Sequence, residues 1–130
     1  MKKLPRGARS VRLNIDPKYA SMIYAGEKTM EFRKKRLPLK SYVELVEDGK
    51  QTGYMILCWE FRSTAEAVWA FAQRRGVLFA GKGRTGITKK WLTDYAGKDY
   101  VSVYGIVCAK RMIPQAGDKP TAWADKTTEG

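Results

Sequence analysis

Residues 11–33 run VRLNIDPKYASMIYAGEKTMEFR, and each part of that stretch has a physical reading that constrains the rest of the chain. Val11, Leu13 and Ile15 alternate with Arg12 and Asn14, the two-residue period of a half-buried strand. Asp16-Pro17 then opens a helix: aspartate accepts from the free amides of a first turn, and proline suits a position whose N–H would have no partner. Tyr19, Ala20, Ile23 and Tyr24 give the helix one apolar face, and Gly26 supplies the left-handed stop. From Thr29 to Arg33 the two-residue period returns, with Met30 and Phe32 on one side and Thr29, Glu31 and Arg33 on the other.

Downstream, Tyr42 to Val46 and Thr52 to Phe61 read as strands joined through Glu47-Asp48-Gly49-Lys50, where Asp-Gly is a strong hairpin signal. Ser63-Thr64-Ala65-Glu66 has capping-box spacing, with Ser63 as cap and Glu66 reaching back. A helix follows, with Ala65, Val68, Trp69, Phe71 and Ala72 inward and Gly76 as its stop. A short helix from Thr88 to Tyr95 should turn Trp91, Leu92 and Tyr95 inward and end at Gly97. Tyr100 to Met112 reads as a central strand. The order predicts an α+β domain of about five strands, its sheet curled around both long strands. It divides the chain into a basic arm over 1–10, a domain over 11–114 and a mobile tail over 115–130.

The 130 residues make one domain, and 44% hydrophobic content keeps the chain out of the disordered class despite a net charge of +12. Twelve of the 25 basic residues but three of the 13 acidic ones fall in residues 1–40. So concentrated an excess predicts an anionic partner. The absence of histidine excludes Ser-His and Cys-His catalytic pairs and the usual metalloprotease sites. Cys58 and Cys108 alone cannot build a zinc site, and each lies in an apolar run, as reduced, buried small hydrophobes do. No metal and no cofactor is therefore expected. No stretch approaches a membrane span, and the first residues lack the apolar core of a secretory signal, so a cytoplasmic setting is expected.

Three segments bear on function. Gly81-Lys82-Gly83-Arg84-Thr85-Gly86 matches G-x-G-x-x-G, but the chain lacks room for the βα repeats of a dinucleotide fold. A loop whose Lys82 and Arg84 touch phosphates is the better reading. Arg33-Lys34-Lys35-Arg36 follows a strand directly, so Lys34, Lys35 and Arg36 are expected to bind phosphates from the folded surface. On the polar strand face with Lys28 at its entry, Arg33 can grip a phosphate, Glu31 can accept from a base amino group, and Thr29 can do either.

Asn14-Ile15-Asp16-Pro17-Lys18-Tyr19-Ala20, followed by Ile23, Gly26, Lys28, Glu31 and Arg33, resembles the opening signature of the ASCH domain family, within the PUA-like superfamily. Gly86-Ile87-Thr88-Lys89, Tyr95, Gly97-Lys98 and the strand from Tyr100 to Met112 resemble that family's C-terminal half. The resemblance implies a small mixed β-barrel with two to three short helices and a cleft lined by Lys28, Thr29, Glu31 and Arg33. It implies binding of RNA or another single-stranded nucleic acid. Asp16 departs from the commoner lysine before the proline and removes a positive charge near the cleft. The alternative the family suggests is a hydrolase, an amidohydrolase on a modified nucleoside or a ribonuclease, with Lys28 as the candidate catalytic group. The amidohydrolase's threonine is Glu31 here, and its later carboxylate has no counterpart between Gly81 and Thr88. A ribonuclease would need Lys28 to meet Tyr24 or Ser102. An acidic protein is a third class of partner. Lys28→Ala and Arg33→Ala are expected to lose binding with the fold intact, and Trp69 and Trp91 to be core aromatics.

Overall fold

A computed structural model describes residues 10–78 and 87–112. Residues 1–9 of the expected arm, the glycine-rich loop with Lys82 and Arg84, and the tail over 115–130 lie outside the described residues, and the arm's last residue, Ser10, belongs instead to the first strand. In chain order the elements are β1 (Ser10–Asn14), α1 (Pro17–Ala25), β2 (Met30–Arg33), β3 (Tyr42–Glu47), β4 (Lys50–Ser63), α2 (Ala65–Leu78), α3 (Lys89–Ala96) and β5 (Val101–Arg111). The strands form one curled, mixed sheet in the order β1-β3-β4-β5-β2, with β1 parallel to β3 and every other pair antiparallel. This is the α+β half-barrel the sequence predicts.

Local chemistry sets the joints. Asp16 caps α1 by accepting from the Lys18 amide at 2.8 Å, and Gly26 closes the helix at φ +81°. Asp48 and Gly49 both have positive φ, 49° and 80°, the geometry of a type I′ turn that matches the strands' twist. Two expectations at α2 are corrected. Ser63 remains in the ladder opposite Val101, so the cap falls to Thr64, whose Oγ1 accepts from the Ala67 amide at 3.3 Å. Gly76 does not stop the helix, which continues to Leu78; a single glycine within a helix costs only about 1 kcal/mol.

β4 carries the long-range order. Its register shifts between Leu57 and Trp59, where a bulge turns the strand over. Met55 and Leu57 thus bury against Ile23, Tyr24, Tyr104 and Ile106 under α1, while Trp59 and Phe61 pack on the opposite face with Val68, Leu92 and Val103 under α2 and α3. Cys58 and Cys108 are free and half-buried. Among the described residues no helix is long and apolar enough to cross a membrane.

Candidate functional site

β2 is an edge strand, and the turns around it leave a cleft of about 260 Å³ between its edge, α1 and α3. Asn14, Asp16, Tyr19, Lys28, Glu31, Phe32, Arg33, Ile87, Trp91 and Tyr95 line it. The left-handed Gly26 brings the Glu27 and Lys28 amides back onto the Met22 carbonyl at 2.9 and 3.1 Å, which turns the Lys28 side chain inward. Only 2% of Lys28 is exposed.

The floor is a chain of charges. The Lys28 ammonium donates to the Met30 carbonyl and lies 3.4 Å from Glu31 Oε1. Glu31 Oε2 accepts from Arg33 Nε at 2.6 Å. Burial pushes the Lys28 amine below its ordinary value, and the opposing pull of Glu31 does not fully restore it. The ammonium also lies 5.4 Å from the Phe32 ring centre and 5.9 Å from that of Tyr19.

The walls are aromatic. Trp91 and Tyr95, one helical turn apart on α3, stack at 4.9 Å and 16°, and Tyr19 meets Trp91 edge-on at 6.2 Å. The Tyr95 hydroxyl accepts from the Lys34 amide at 3.0 Å, tying the chain beyond β2 to α3. Asp16 presents its carboxylate at the cleft while capping α1. Two cations, Lys28 and Arg33, thus face two carboxylates, Asp16 and Glu31, in a protein whose overall charge is +12.

Of the residues expected in the cleft, Lys28, Glu31 and Arg33 line it. Thr29 does not; its carbonyl accepts from the Ile106 amide at 2.9 Å as the β2–β5 ladder begins. The basic run divides. Lys34 Nζ lies 5.3 Å over the Tyr95 ring and 3.6 Å from Asp99, Lys35 is exposed, and Arg36 reaches the sheet face to grip Glu60 at 2.8 and 3.3 Å. Trp91 is corrected from core to cleft wall: it is 36% exposed, because Leu92 and Ala96 are the residues of α3 that meet the sheet. Tyr24 and Ser102, which a ribonuclease would need beside Lys28, bond to other groups. The Tyr24 hydroxyl pairs with Thr52 at 2.9 Å, and Ser102 pairs with Glu60 and Arg62. Asp16, which the resemblance placed near the cleft, lines it, and Asn14, Tyr19, Trp91 and Tyr95 come to it only through the packing of β1, α1 and α3, the Trp91–Tyr95 spacing being their one local signal. Among the described residues no group of three or more metal-ligating side chains could hold a metal ion.

No family model matches the chain, and no curated protein matches it. Solved structures do. The crystal structure of ASCH from Zymomonas mobilis is 18% identical over 78% of this chain and 69% of that one, with a TM-score of 0.63. A variant of that protein with tyrosine replaced by phenylalanine matches at 19% identity over 84% of this chain and 76% of that one, with a TM-score of 0.63. A serine-to-alanine variant matches at 18%, 78%, 70% and 0.63 respectively. At this identity what is shared is the fold: the chain has the curled, five-stranded half-barrel of that ASCH protein.

Proposed function

We propose that this chain is an ASCH domain that binds RNA, taking one unstacked nucleobase into the cleft. The observation that carries the reading is the pairing of an aromatic wall with a charge-balanced floor. The stacked Trp91–Tyr95 face offers a platform for a base, and stacking on such a platform contributes about 1–3 kcal/mol per base. Asp16 and Glu31 supply acceptors for base amino groups, and Lys28 and Arg33 supply donors. With equal numbers of each sign the cleft suits an uncharged ring better than a phosphate. Its volume of about 260 Å³ lies below the usual range for drug-sized ligands and leaves room for a single base. The phosphates then fall to the basic residues outside it, among them Lys35, exposed in the run after β2.

The test is fluorescence anisotropy of labelled single-stranded RNA, single-stranded DNA and duplex at two salt concentrations, with each sample then run on a gel. Wild type should prefer the RNA, lose affinity steeply with salt and leave the oligonucleotide intact. Trp91→Ala should weaken binding by about tenfold with an unchanged melting temperature, because the ring is a wall and not core. Equal binding by wild type and Trp91→Ala would reject the cleft.

The lowered pKa of Lys28 favours one second reading, a hydrolase on RNA or a modified nucleoside with the buried amine as base or nucleophile. It predicts cleaved or altered substrate on the same gel, lost in Lys28→Met.

A further inference from the structure

The sheet face opposite α2 and α3 carries polar residues in register across three strands. Glu31 on β2 stands beside Tyr104 on β5 and Glu60 on β4, and in the next row Arg33 stands beside Ser102 and Arg62. The first row is closed over. The Tyr104 hydroxyl donates to Glu60 at 3.0 Å and accepts from the Leu37 amide at 2.7 Å, and Arg36 covers Glu60 with two further bonds.

The second row is different. Arg62 is half-buried, yet its hydrogen bond at 2.9 Å goes to the neutral Ser102 hydroxyl, which passes its own proton to Glu60 at 2.7 Å. Among the described residues Arg62 has no carboxylate partner. Arg33 commits Nε to Glu31, and its two terminal nitrogens make no hydrogen bond among the described residues. Two arginines therefore flank one buried serine, one strand away on either side. Adjacent strands lie about 4.8 Å apart, so side chains on β2 and β4 can converge over Ser102 on an anion of a few ångströms. The two carboxylates that touch this row are already engaged, Glu60 by Arg36, Ser102 and Tyr104 and Glu31 by Lys28 and the Arg33 Nε.

We propose that Arg33 and Arg62 form a second anion site above Ser102 that takes the phosphate next to the base held in the cleft. The proposal rests on the nucleic-acid reading above and extends it. Arg33 belongs to both places: its Nε is locked to Glu31 on the cleft floor, and the residue stands beside Ser102 in the row it shares with Arg62, so a strand leaving the cleft meets the pair at once. Planar guanidinium groups with free donors bind phosphate bidentately, which gives the strand a direction across the sheet as well as affinity.

The experiment compares wild type, Arg62→Gln, Arg62→Lys and Trp91→Ala, each as the full chain, by anisotropy with labelled single-stranded RNA over a series of salt concentrations. Thermal melts and a calorimetric titration with inorganic phosphate accompany it. Arg62→Gln should weaken RNA binding by about tenfold at low salt and reduce the slope of log affinity against log salt by about 0.7, at an unchanged melting temperature. Arg62→Lys should keep the slope and recover only part of the affinity, since an ammonium cannot bridge bidentately; this variant decides the matter should Arg62→Gln fold poorly. Trp91→Ala should lose affinity with the slope unchanged. An Arg62→Gln protein with wild-type slope and affinity, beside a weakened Trp91→Ala, would overturn the second site and leave the cleft standing. Loss of RNA binding in neither variant, or no binding by wild type, would overturn both. Tight inorganic phosphate binding that depends on Arg62, with RNA affinity unaffected, would make this a free-phosphate site and overturn the nucleic-acid assignment.

Discussion

Glu31 holds two cations at once, one oxygen near the buried ammonium of Lys28 and the other on Arg33. That arrangement alters what substitutions on the floor should do. Lys28 is too deeply buried to be a passive surface contact, so Lys28→Ala should cost stability as well as binding, contrary to the expectation from sequence that the fold would be intact. The sharper probe is Glu31→Gln, which leaves the Lys28 ammonium without its counter-charge; breaking such a pair costs about 3–5 kcal/mol. Urea unfolding should show that loss, and the Lys28→Met, Glu31→Gln double variant should recover most of it, because the buried ammonium is then gone and Arg33, which is 23% exposed, still reaches water. A double variant no more stable than Glu31→Gln alone would show that the pair is not coupled.

The bulge in β4 is the element that makes one sheet serve two cores. Beyond it Trp59 lies against Gly105 on β5, and a Cβ at Gly105 would fall 2.1 Å from Trp59 Nε1. The indole cannot swing aside freely, since Phe71 meets it edge-on at 5.6 Å and the Arg75 guanidinium lies 4.6 Å over its ring. Gly105→Ala should therefore destabilise the domain by about 1–3 kcal/mol through overpacking, read as a lower urea midpoint at unchanged slope. The aromatic spacing of α2 and the Asp-Gly hairpin were legible in the sequence, because each is a local pattern. The reversal of faces within β4 was not: Met55, Leu57, Trp59 and Phe61 keep a strict two-residue spacing that, read alone, puts them on one side. The Ser63 cap failed for a related reason, as ladder pairing with Val101 outcompeted the local capping box.

At the scale of the whole molecule, Glu60 joins three parts of the chain, accepting from Arg36 in the segment after β2 and from Ser102 and Tyr104 on β5. Burial alone would raise its carboxyl, but the donors from Arg36, Ser102 and Tyr104 outweigh that and hold it below its ordinary value of 4.5. A carboxyl depressed in the folded state contributes stability above its unfolded pKa and loses it as pH falls through the folded one. Glu60→Gln should thus lower the melting temperature at neutral pH, and the gap to wild type should close as pH drops below 4.5. A gap constant with pH would mean that the glutamate acts by shape and not by charge.

The strand-helix-strand run over residues 11–33, the hairpin and the last strand follow from alternation, capping and turn chemistry, which act between near neighbours and so can be read along the chain. The same is true of Lys28, Glu31 and Arg33, which one turn and one short strand bring together. The aromatic wall of the cleft, the removal of Thr29 from it, the division of the basic run and the row of Arg33, Ser102 and Arg62 depend on which strands are neighbours and where α3 docks. Those contacts join residues as far apart as 33 and 102 or 19 and 91. Periodicity within a segment carries no information about which other segment its faces meet; the burial of both sides of one sheet settled that.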